Sequence, residues 1–354
     1  MVGDLRLLVQ SIAPLLITVM LITIGHALVG TGTAIRLDLE GYSTTDIGII
    51  GATYAVGFML GTLIVPRIIN RVGHIRVFAA FACLFMVSLL TQSLYIAVIA
   101  WAFWRFMAGF CIAGVFILNE GWINASTSNA VRGQILSIYV AVLYFGNTLG
   151  QGLIAVIDPA SVLIFTAAAI LVSISVVPLS LANVQAPPTL KTERFKIGRL
   201  IRISPLGSCA VFASGVLNSV LANFLPVWGR GIDTANSFIA LVMLVFVISG
   251  FVCQYPAGRL SDMIERRFVI IGAALIMLVS GVAGLLLPDD IKWIALTLIF
   301  IVGALIPVFY SVGIAHTTDF IDFNDMVAAS AGLLMIYGMG TVIGPLLGGP
   351  LLNW

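Results

Sequence analysis

The fold is decided by stretches such as residues 236–255, which read NSFIALVMLVFVISGFVCQY and contain no charged side chain. A helix rises about 1.5 Å per residue, so a helical run of this length extends about 30 Å. The hydrocarbon core of a bilayer has this thickness, and such a run is typical of a membrane-spanning helix.

Further apolar runs of similar length follow one another along the chain, with little polar sequence between them. Lipid offers no water to backbone groups, so only helices or closed barrels span it, and barrel strands are about half this length. We therefore predict an all-α membrane protein with eleven spans. In chain order, the predicted spans are 12–31, 45–65, 77–95, 97–119, 134–155, 161–182, 205–227, 236–255, 268–287, 292–314 and 328–351.

The composition argues against several other classes of protein. Hydrophobic residues make up 60% of the 354 positions and charged residues 9%, against about 25% charged in soluble domains. The net charge of +2 does not favour nucleic acid as a partner, and the four cysteines lack metal-ligand spacing. Motifs for phosphate loops, zinc proteases and serine hydrolases are missing. We expect no enzymatic activity, no cofactor and no metal.

Basic residues in the short loops predict the orientation. With the N-terminus inside, thirteen Lys and Arg residues fall on the cytoplasmic side and three on the opposite side. A polar stretch at 184–204, with five of these bases, then becomes a cytoplasmic linker with an amphipathic segment at Phe195, Ile197, Leu200 and Ile201. The predicted domains are an N-terminal six-helix half at 1–183, this linker, and a C-terminal half with five spans at 205–354.

The two halves resemble each other. Gly57 of span 2 recurs 193 residues later as Gly250. In the same way, Gly146 and Gly150 of span 5 recur 198 residues later as Gly344 and Gly348. Four-residue spacing of glycines leaves a flat stripe on which another helix can pack. Two six-helix halves require twelve spans, so we expect the twelfth helix to have been lost by truncation.

Two basic loops carry a family resemblance. The loop after span 2 reads NRVGHIR at 70–76, and the loop after span 8 reads GRLSDMIERR at 258–267. Together with the duplicated halves, these loops resemble those of the major facilitator superfamily of secondary transporters. In the first loop, Asn70 stands where the family pattern has an Asp. The resemblance implies two pseudo-symmetric helical bundles and a cytoplasmic gate; the alternative is that the bases of these loops merely set the orientation. The gate residues it implies are Asn70, Arg71, Gly73, Arg76, Glu120, Arg132, Gly258, Asp262, Arg266 and Arg267.

Span 4 carries a second signature of the family. The residues Arg105 to Gly109 match its Arg-x-x-x-Gly motif, and Glu120 and Arg132 match its continuation. Arg105 lies deep in the span, where a guanidinium costs about 2.5–3.5 kcal/mol and needs a partner. That partner is a carbonyl group, a substrate anion or the proton-coupling machinery that the resemblance suggests. The alternative is packing against backbone and polar side chains.

Other polar side chains within the spans outline a candidate binding site. His26 can titrate near neutral pH and is a candidate for proton coupling. For each lone Asn, Gln or Tyr, an interhelical hydrogen bond is the alternative. Near the cytoplasmic end of span 10, His316 is predicted to pair with Asp319. The predicted substrate-binding or coupling residues are His26, Arg105, Tyr144, Asn147, Gln151, Asn218, Asn223 and Tyr310.

These features predict a secondary active transporter that moves a small solute by alternating access and is coupled to a proton or another solute. The alternatives are a transporter-like receptor that binds without transport, and a truncated fragment that transports nothing. Arg105 favours an anionic or zwitterionic solute. We expect a monomer in a bacterial inner membrane, with the solute, the coupling proton and lipid as its partners.

Overall fold

The computed structural model describes residues 2–126, 132–181, 197–286, 292–321 and 326–352. Side chains are described from residue 12 onward within these ranges, except at 124–134 and 326–328. Arg132 of the predicted gate and Phe195 of the predicted amphipathic segment therefore lie outside the described side chains.

The described residues form eleven long helices and one short helix, and contain no strand. Each predicted span falls on one long helix, so the all-α prediction is confirmed. Hydropathy marks only the apolar part of a helix, and α1 and α9 continue well beyond it. The helices are α1 (Val2–Leu39), α2 (Thr44–Val72), α3 (His74–Leu94), α4 (Val98–Ser126), α5 (Arg132–Leu153), α6 (Leu163–Leu181), α7 (Ile197–Ile203), α8 (Pro205–Ile232), α9 (Asn236–Met263), α10 (Arg266–Leu286), α11 (Lys292–Thr318) and α12 (Met326–Leu351).

Ten of these helices are long and apolar enough to cross a membrane. The helix α5 is not among them, although it packs closely along α1. The short helix α7 occupies part of the predicted amphipathic segment. Its Leu200 is fully buried against Val211 and Leu333, whereas Ile201 is half exposed, as expected for an amphipathic helix.

The chain divides by its contacts into two compact units. The first unit contains Met1–Leu39 and Thr53–Lys191, and the second contains Glu40–Ala52 and Thr192–Trp354. The beginning of α2 therefore groups with the second unit and the rest of α2 with the first. The domain limits predicted from the sequence stay a prediction.

Close glycine contacts recur in the two units. In the first, a Cβ added to Gly57 of α2 would lie 2.0 Å from the Phe106 carbonyl oxygen of α4. In the second, a Cβ added to Gly303 of α11 would lie 2.9 Å from the Phe246 carbonyl oxygen of α9. The pairs α2–α4 and α9–α11 therefore both approach at a glycine, and Gly303 faces the Phe246 carbonyl oxygen of α9 as Gly109 of α4 faces the Tyr54 carbonyl oxygen of α2.

The predicted glycine stripes also lie at helix contacts. A Cβ on Gly150 of α5 would lie 2.5 Å from the Ile24 carbonyl oxygen of α1, and one on Gly146 would lie 3.0 Å from the Met20 carbonyl oxygen. The counterparts on α12 face α8, where a Cβ on Gly344 would lie 2.6 Å from the Val216 carbonyl oxygen. Gly348 faces the Phe224 ring in the same way. Small residues thus allow these helices to approach at backbone distance.

One residue joins α2 to α3. Gly73 has φ +94° and ψ 157°, a conformation that is essentially restricted to glycine. We expect Gly73→Ala to lower the free energy of unfolding by about 1–3 kcal/mol, because the added Cβ makes this conformation strained. Thermal unfolding of the purified protein measures the effect.

Gly258→Ala is the matched control for this change. Gly258 lies within α9, has no atom within 4 Å of its Cβ position, and has an ordinary φ. We expect the control to stabilise the helix slightly, by about 0.5–1 kcal/mol. Equal effects of the two substitutions would contradict this account of the α2–α3 connection.

Candidate functional site

Three helices of the first unit bring three polar side chains together. Tyr54 of α2 contacts both His26 of α1 and Arg105 of α4. The Tyr54 hydroxyl oxygen lies 3.3 Å from His26 Nε2, and the two rings stack with centroids 5.4 Å apart. Arg105 Cζ lies 4.6 Å from the centroid of the Tyr54 ring. We call these residues the His26–Tyr54–Arg105 cluster.

Arg105 carries a buried charge that the protein leaves partly unsatisfied. It is 5% exposed, and its Nε and Nη1 atoms have no hydrogen-bond acceptor among the described residues. An Arg at the centre of a span costs about 2.5–3.5 kcal/mol on insertion scales. The cation–π contact with Tyr54 offsets up to about 2 kcal/mol of this. Two strong donors therefore remain available to an acceptor.

Glycines at the α2–α4 contact position the cluster. A Cβ on Gly109 would lie 2.1 Å from the Tyr54 carbonyl oxygen, so the two backbones touch at this point. Arg105 lies four residues before Gly109, which places both on the same side of α4. The Arg-x-x-x-Gly spacing thus brings the guanidinium to Tyr54. Tyr54 is not among the residues predicted from the sequence, where its local signal is its position one turn before Gly57.

The corresponding positions of the second unit are apolar. In the register that pairs Gly109 with Gly303, Arg105 corresponds to Ile299. Ile299 packs in a buried cluster with Leu225 and Val242. The helix contact therefore forms without a polar residue at this position, and the charge of Arg105 is not a requirement of the repeated packing.

A second polar group connects α1 to α5. Thr31 Oγ1 donates to Gln151 Oε1 at 2.7 Å, and Gln151 Nε2 donates to Asn147 Oδ1 at 3.4 Å. Tyr144 lies one turn earlier on α5 and accepts a hydrogen bond from Thr148 Oγ1 at its carbonyl oxygen. Gln151 is 4% exposed and satisfied by these bonds, which fits the alternative of an interhelical link.

A third polar group belongs to the second unit. Asn218 Nδ2 of α8 donates to the Tyr337 hydroxyl oxygen of α12 at 3.1 Å. The rings of Tyr310 and Tyr337 meet edge to face with centroids 5.1 Å apart. Asn223 stands apart from this group, because its Nδ2 donates to the Ser219 carbonyl oxygen within α8. The structure thus assembles Asn218 and Tyr310 but not Asn223.

The predicted gate residues of the first unit lie at helix ends. Asn70 and Arg71 at the end of α2, and Arg76 at the start of α3, are exposed, as is Glu120 on α4. The pairing predicted between Glu120 and Arg132 lies outside the described side chains.

In the second unit, one predicted pairing is wrong. Asp319 pairs with Arg266, whose Nη1 lies 2.5 Å from Asp319 Oδ1 and also donates to the Ala315 carbonyl oxygen at 2.5 Å. His316 instead meets the Phe320 ring, with centroids 5.3 Å apart. The reason is that Arg266 begins α10, the helix that packs beside α11, and offers a charged partner that the local spacing could not reveal.

The other predicted gate residues of the second unit are Arg267, Asp262 and Gly258. Arg267 Nε lies 2.6 Å from Glu265 Oε2, and both side chains are exposed. Asp262 is exposed and forms no ion pair with a residue that the structure describes. Gly258 has open space at its Cβ position. The gate function of these residues stays a prediction.

A further ion pair connects the start of α11 to the α8–α9 loop. Lys292 Nζ pairs with Asp233 Oδ2 in the second unit. The hydrogen bond from Lys292, together with one from the Ala235 amide, holds the pKa of Asp233 below its ordinary value. Asp233 is thus expected to remain ionised as an acceptor for Lys292.

A family model described as Major Facilitator Superfamily matches residues 11–233 and 207–354, which together include nearly the whole chain. The chain belongs to the Major Facilitator Superfamily. The family consists of transporters, so this membership identifies a multi-pass integral membrane protein of a transporter family rather than an enzyme family. The resemblance inferred from the loops and from span 4 is confirmed.

Named relatives of this superfamily member are bacterial. The uncharacterized MFS-type transporter YcaD of Escherichia coli strain K12 is 26% identical over 338 residues, which cover 95% of this chain and 87% of the relative. The YcaD protein of Escherichia fergusonii is 26% identical over 333 residues, covering 94% of this chain and 86% of that protein.

Solved structures of the superfamily share the fold at low sequence identity. A point mutant of the nucleoside transporter NupG has a TM-score of 0.81 at 12% identity, covering 96% of this chain and 91% of NupG. A bacterial homolog of the human lysosomal transporter Spinster gives 0.77 at 12% identity, with 97% and 82% covered. A D-xylose-proton symporter gives 0.75 at 16% identity, with 95% and 88% covered.

This superfamily member also has an apolar concavity in its second unit. Its volume is about 320 Å³, and α8, α10 and α11 line it with residues such as Leu221, Leu285 and Leu298. Among the residues that the structure describes, the lining has no charged side chain to orient a polar solute. Neighbouring residues of α10, such as Leu278 and Val279, are largely exposed, as expected for a face in contact with lipid.

Proposed function

We propose that this protein is a secondary active transporter that exposes the His26–Tyr54–Arg105 cluster alternately to either side of the membrane. The observation that carries the proposal is Arg105, a buried charge with two free donors within the scaffold of a transporter family. Such residues are expensive in lipid and mark solute or ion pathways. The polar groups at Gln151 in the first unit and at Asn218 in the second unit are further proposed to take part in solute binding or coupling.

We further propose proton coupling through His26. Its imidazole is the titratable ring in contact with Tyr54, and Arg105 acts on both residues electrostatically. A protonated His26 and Arg105 repel each other, so bound negative charge would favour the entry of a proton. Binding of solute and proton would then be linked.

The basic loops are proposed to set the orientation and form the cytoplasmic gate. Arg71 and Arg76 lie at the α2–α3 connection, and Arg266 pairs with Asp319 at the α10–α11 ends. From the positive-inside rule we propose a cytoplasmic N-terminus. We also propose that the protein resides in a bacterial inner membrane. We propose that it works as a monomer.

Counterflow in proteoliposomes tests transport. Proteoliposomes are loaded with a high concentration of a solute that stabilises the purified protein. They are then diluted into a trace of the labelled solute, and its uptake is measured over time. We expect transient accumulation of label above equilibrium. A receptor or an inactive fragment would bind the solute without any such overshoot, and that result would exclude transport.

His26→Gln tests proton coupling. We expect this variant to retain counterflow but to lose accumulation driven by a pH gradient, by ten-fold or more, because exchange does not require net movement of a proton. His316→Gln is the matched control, since the contact that the structure records for its ring is with Phe320 at the end of α11. If His26→Gln accumulates solute like the unchanged protein at every pH, another group carries the proton.

A further inference from the structure

We infer that the transported solute is an organic anion whose carboxylate or phosphate group binds to Arg105. This inference rests on the proposed function and specifies the class of its solute. Arg105 is only 5% exposed, and its Nε and Nη1 atoms lack acceptors among the described residues. A planar guanidinium matches the two oxygens of a carboxylate or phosphate group.

Among its described side chains, the first unit supplies no counterion for this charge. Its described acidic side chains are Asp38, Glu120 and Asp158, and none of them forms an ion pair with Arg105. Glu120 is fifteen residues further along α4, about 22 Å away at 1.5 Å per residue. Asp38 lies at the end of α1, and Asp158 follows α5. The missing negative charge must come from outside the described protein groups.

The surroundings of Arg105 fit a bound anion. Tyr54 lies over the guanidinium, whose buried Nε and Nη1 atoms have no hydrogen-bond partner among the described residues. His26 and Tyr54 are partly exposed, so the cluster reaches an accessible surface of the unit, and each adds a hydrogen-bonding group. A cationic solute would instead be repelled by Arg105.

A purely structural role for Arg105 is disfavoured by the second unit. There, Ile299 occupies the corresponding position in an apolar cluster, and the same type of glycine contact joins α9 to α11. A structural Arg would also be expected to bind backbone carbonyl groups, as Arg266 does with Ala315. Arg105 has no such bond from its Nε or Nη1 atoms.

Thermal unfolding of the purified full chain tests the inference with matched pairs of compounds. The anions are lactate, succinate, glycerol 3-phosphate and inorganic phosphate, and the uncharged counterparts are lactamide, succinamide and glycerol, all at constant ionic strength. We expect at least one anion to raise the melting temperature while its uncharged counterpart does not. We expect Arg105→Gln to weaken that binding at least ten-fold, and Ile299→Met to leave it unchanged.

The arms of this experiment separate the outcomes. A response to glycerol 3-phosphate identifies a phosphate group, and a response to lactate or succinate identifies a carboxylate group. A response to inorganic phosphate alone would contradict the inference that the solute is organic. If no anion shifts the melting temperature, or if an uncharged counterpart binds equally well, the inference is wrong. If Arg105→Gln does not fold, the comparison of each anion with its uncharged counterpart in the unchanged protein still tests the inference.

Failure of this inference can be told apart from failure of the transport proposal. An anion that binds through Arg105 but shows no counterflow would refute transport and support the anion site. Counterflow of an uncharged or cationic solute that is unaffected by Arg105→Gln would support transport and overturn the anion site.

Discussion

Arg105→Met should raise the melting temperature of the empty protein and abolish solute binding. The substitution keeps an apolar stem of similar length and removes a buried charge that has no counterion among the described residues. We expect a gain of about 1–3 kcal/mol in the free energy of unfolding, because replacing uncompensated buried charge with apolar packing is stabilising. The affinity for the solute should fall at least 100-fold, which corresponds to a loss of about 2.7 kcal/mol in binding free energy.

Two further variants control this prediction. Ile299→Met changes the corresponding position of the second unit and should alter stability by less than about 1.5 kcal/mol, since it conserves volume. Arg105→Lys keeps the charge but loses the planar donor arrangement, so it should bind weakly without a gain in stability. A lower melting temperature for Arg105→Met would show that Arg105 is instead a structural cross-link.

The second large effect is expected at the α2–α4 contact. Gly57→Ala should destabilise the protein by about 1–3 kcal/mol and strongly impair solute binding, because its Cβ would lie 2.0 Å from the Phe106 carbonyl oxygen. The helices must then separate, which draws Tyr54 away from Arg105. Gly109→Ala should behave alike, since its Cβ would lie 2.1 Å from the Tyr54 carbonyl oxygen.

Gly272→Ala is the matched control for this pair. Gly272 also lies within a membrane-spanning helix, but no atom lies within 4 Å of its Cβ position. The control should be neutral or stabilise the helix by up to about 1 kcal/mol. Thermal unfolding and solute binding are measured on all three variants. Unchanged binding in Gly57→Ala would show that this contact does not position the cluster.

The helices could be predicted from the sequence because length and hydropathy mark most membrane spans, although α5 is not among the helices that meet this criterion. In lipid, the backbone groups of an apolar run as long as 236–255 form their hydrogen bonds within a helix, and every predicted span falls on one helix. Arg105 was recognisable for a related reason, since a charge in a long apolar run is expensive wherever it points. Both conclusions depend on one helix at a time.

The partners of these residues could not be predicted, because they lie on other helices. Tyr54 carries no charge and resembles any aromatic residue of a span, so only the α2–α4 packing at Gly57 and Gly109 reveals its place beside Arg105. Asp319 was assigned to His316 by spacing along one helix, but the stronger partner is Arg266 on α10. Pairings across helices require the packing, which periodicity does not encode.

Cysteine accessibility at Gly30 tests the central claim most directly. Gly30 lies one turn from His26 on α1, with open space at its Cβ position, so Gly30→Cys disturbs little. The background variant lacks the native Cys83, Cys111, Cys209 and Cys253. A membrane-impermeant thiol reagent is applied to right-side-out and inside-out vesicles, with and without a stabilising anion.

We predict labelling of Gly30→Cys from both sides of the membrane, with the anion changing the two rates in opposite directions. Such behaviour requires one site that opens in turn to each compartment. Labelling from a single side under every condition, with the anion merely blocking it, would contradict alternating access and leave a binding protein in its place.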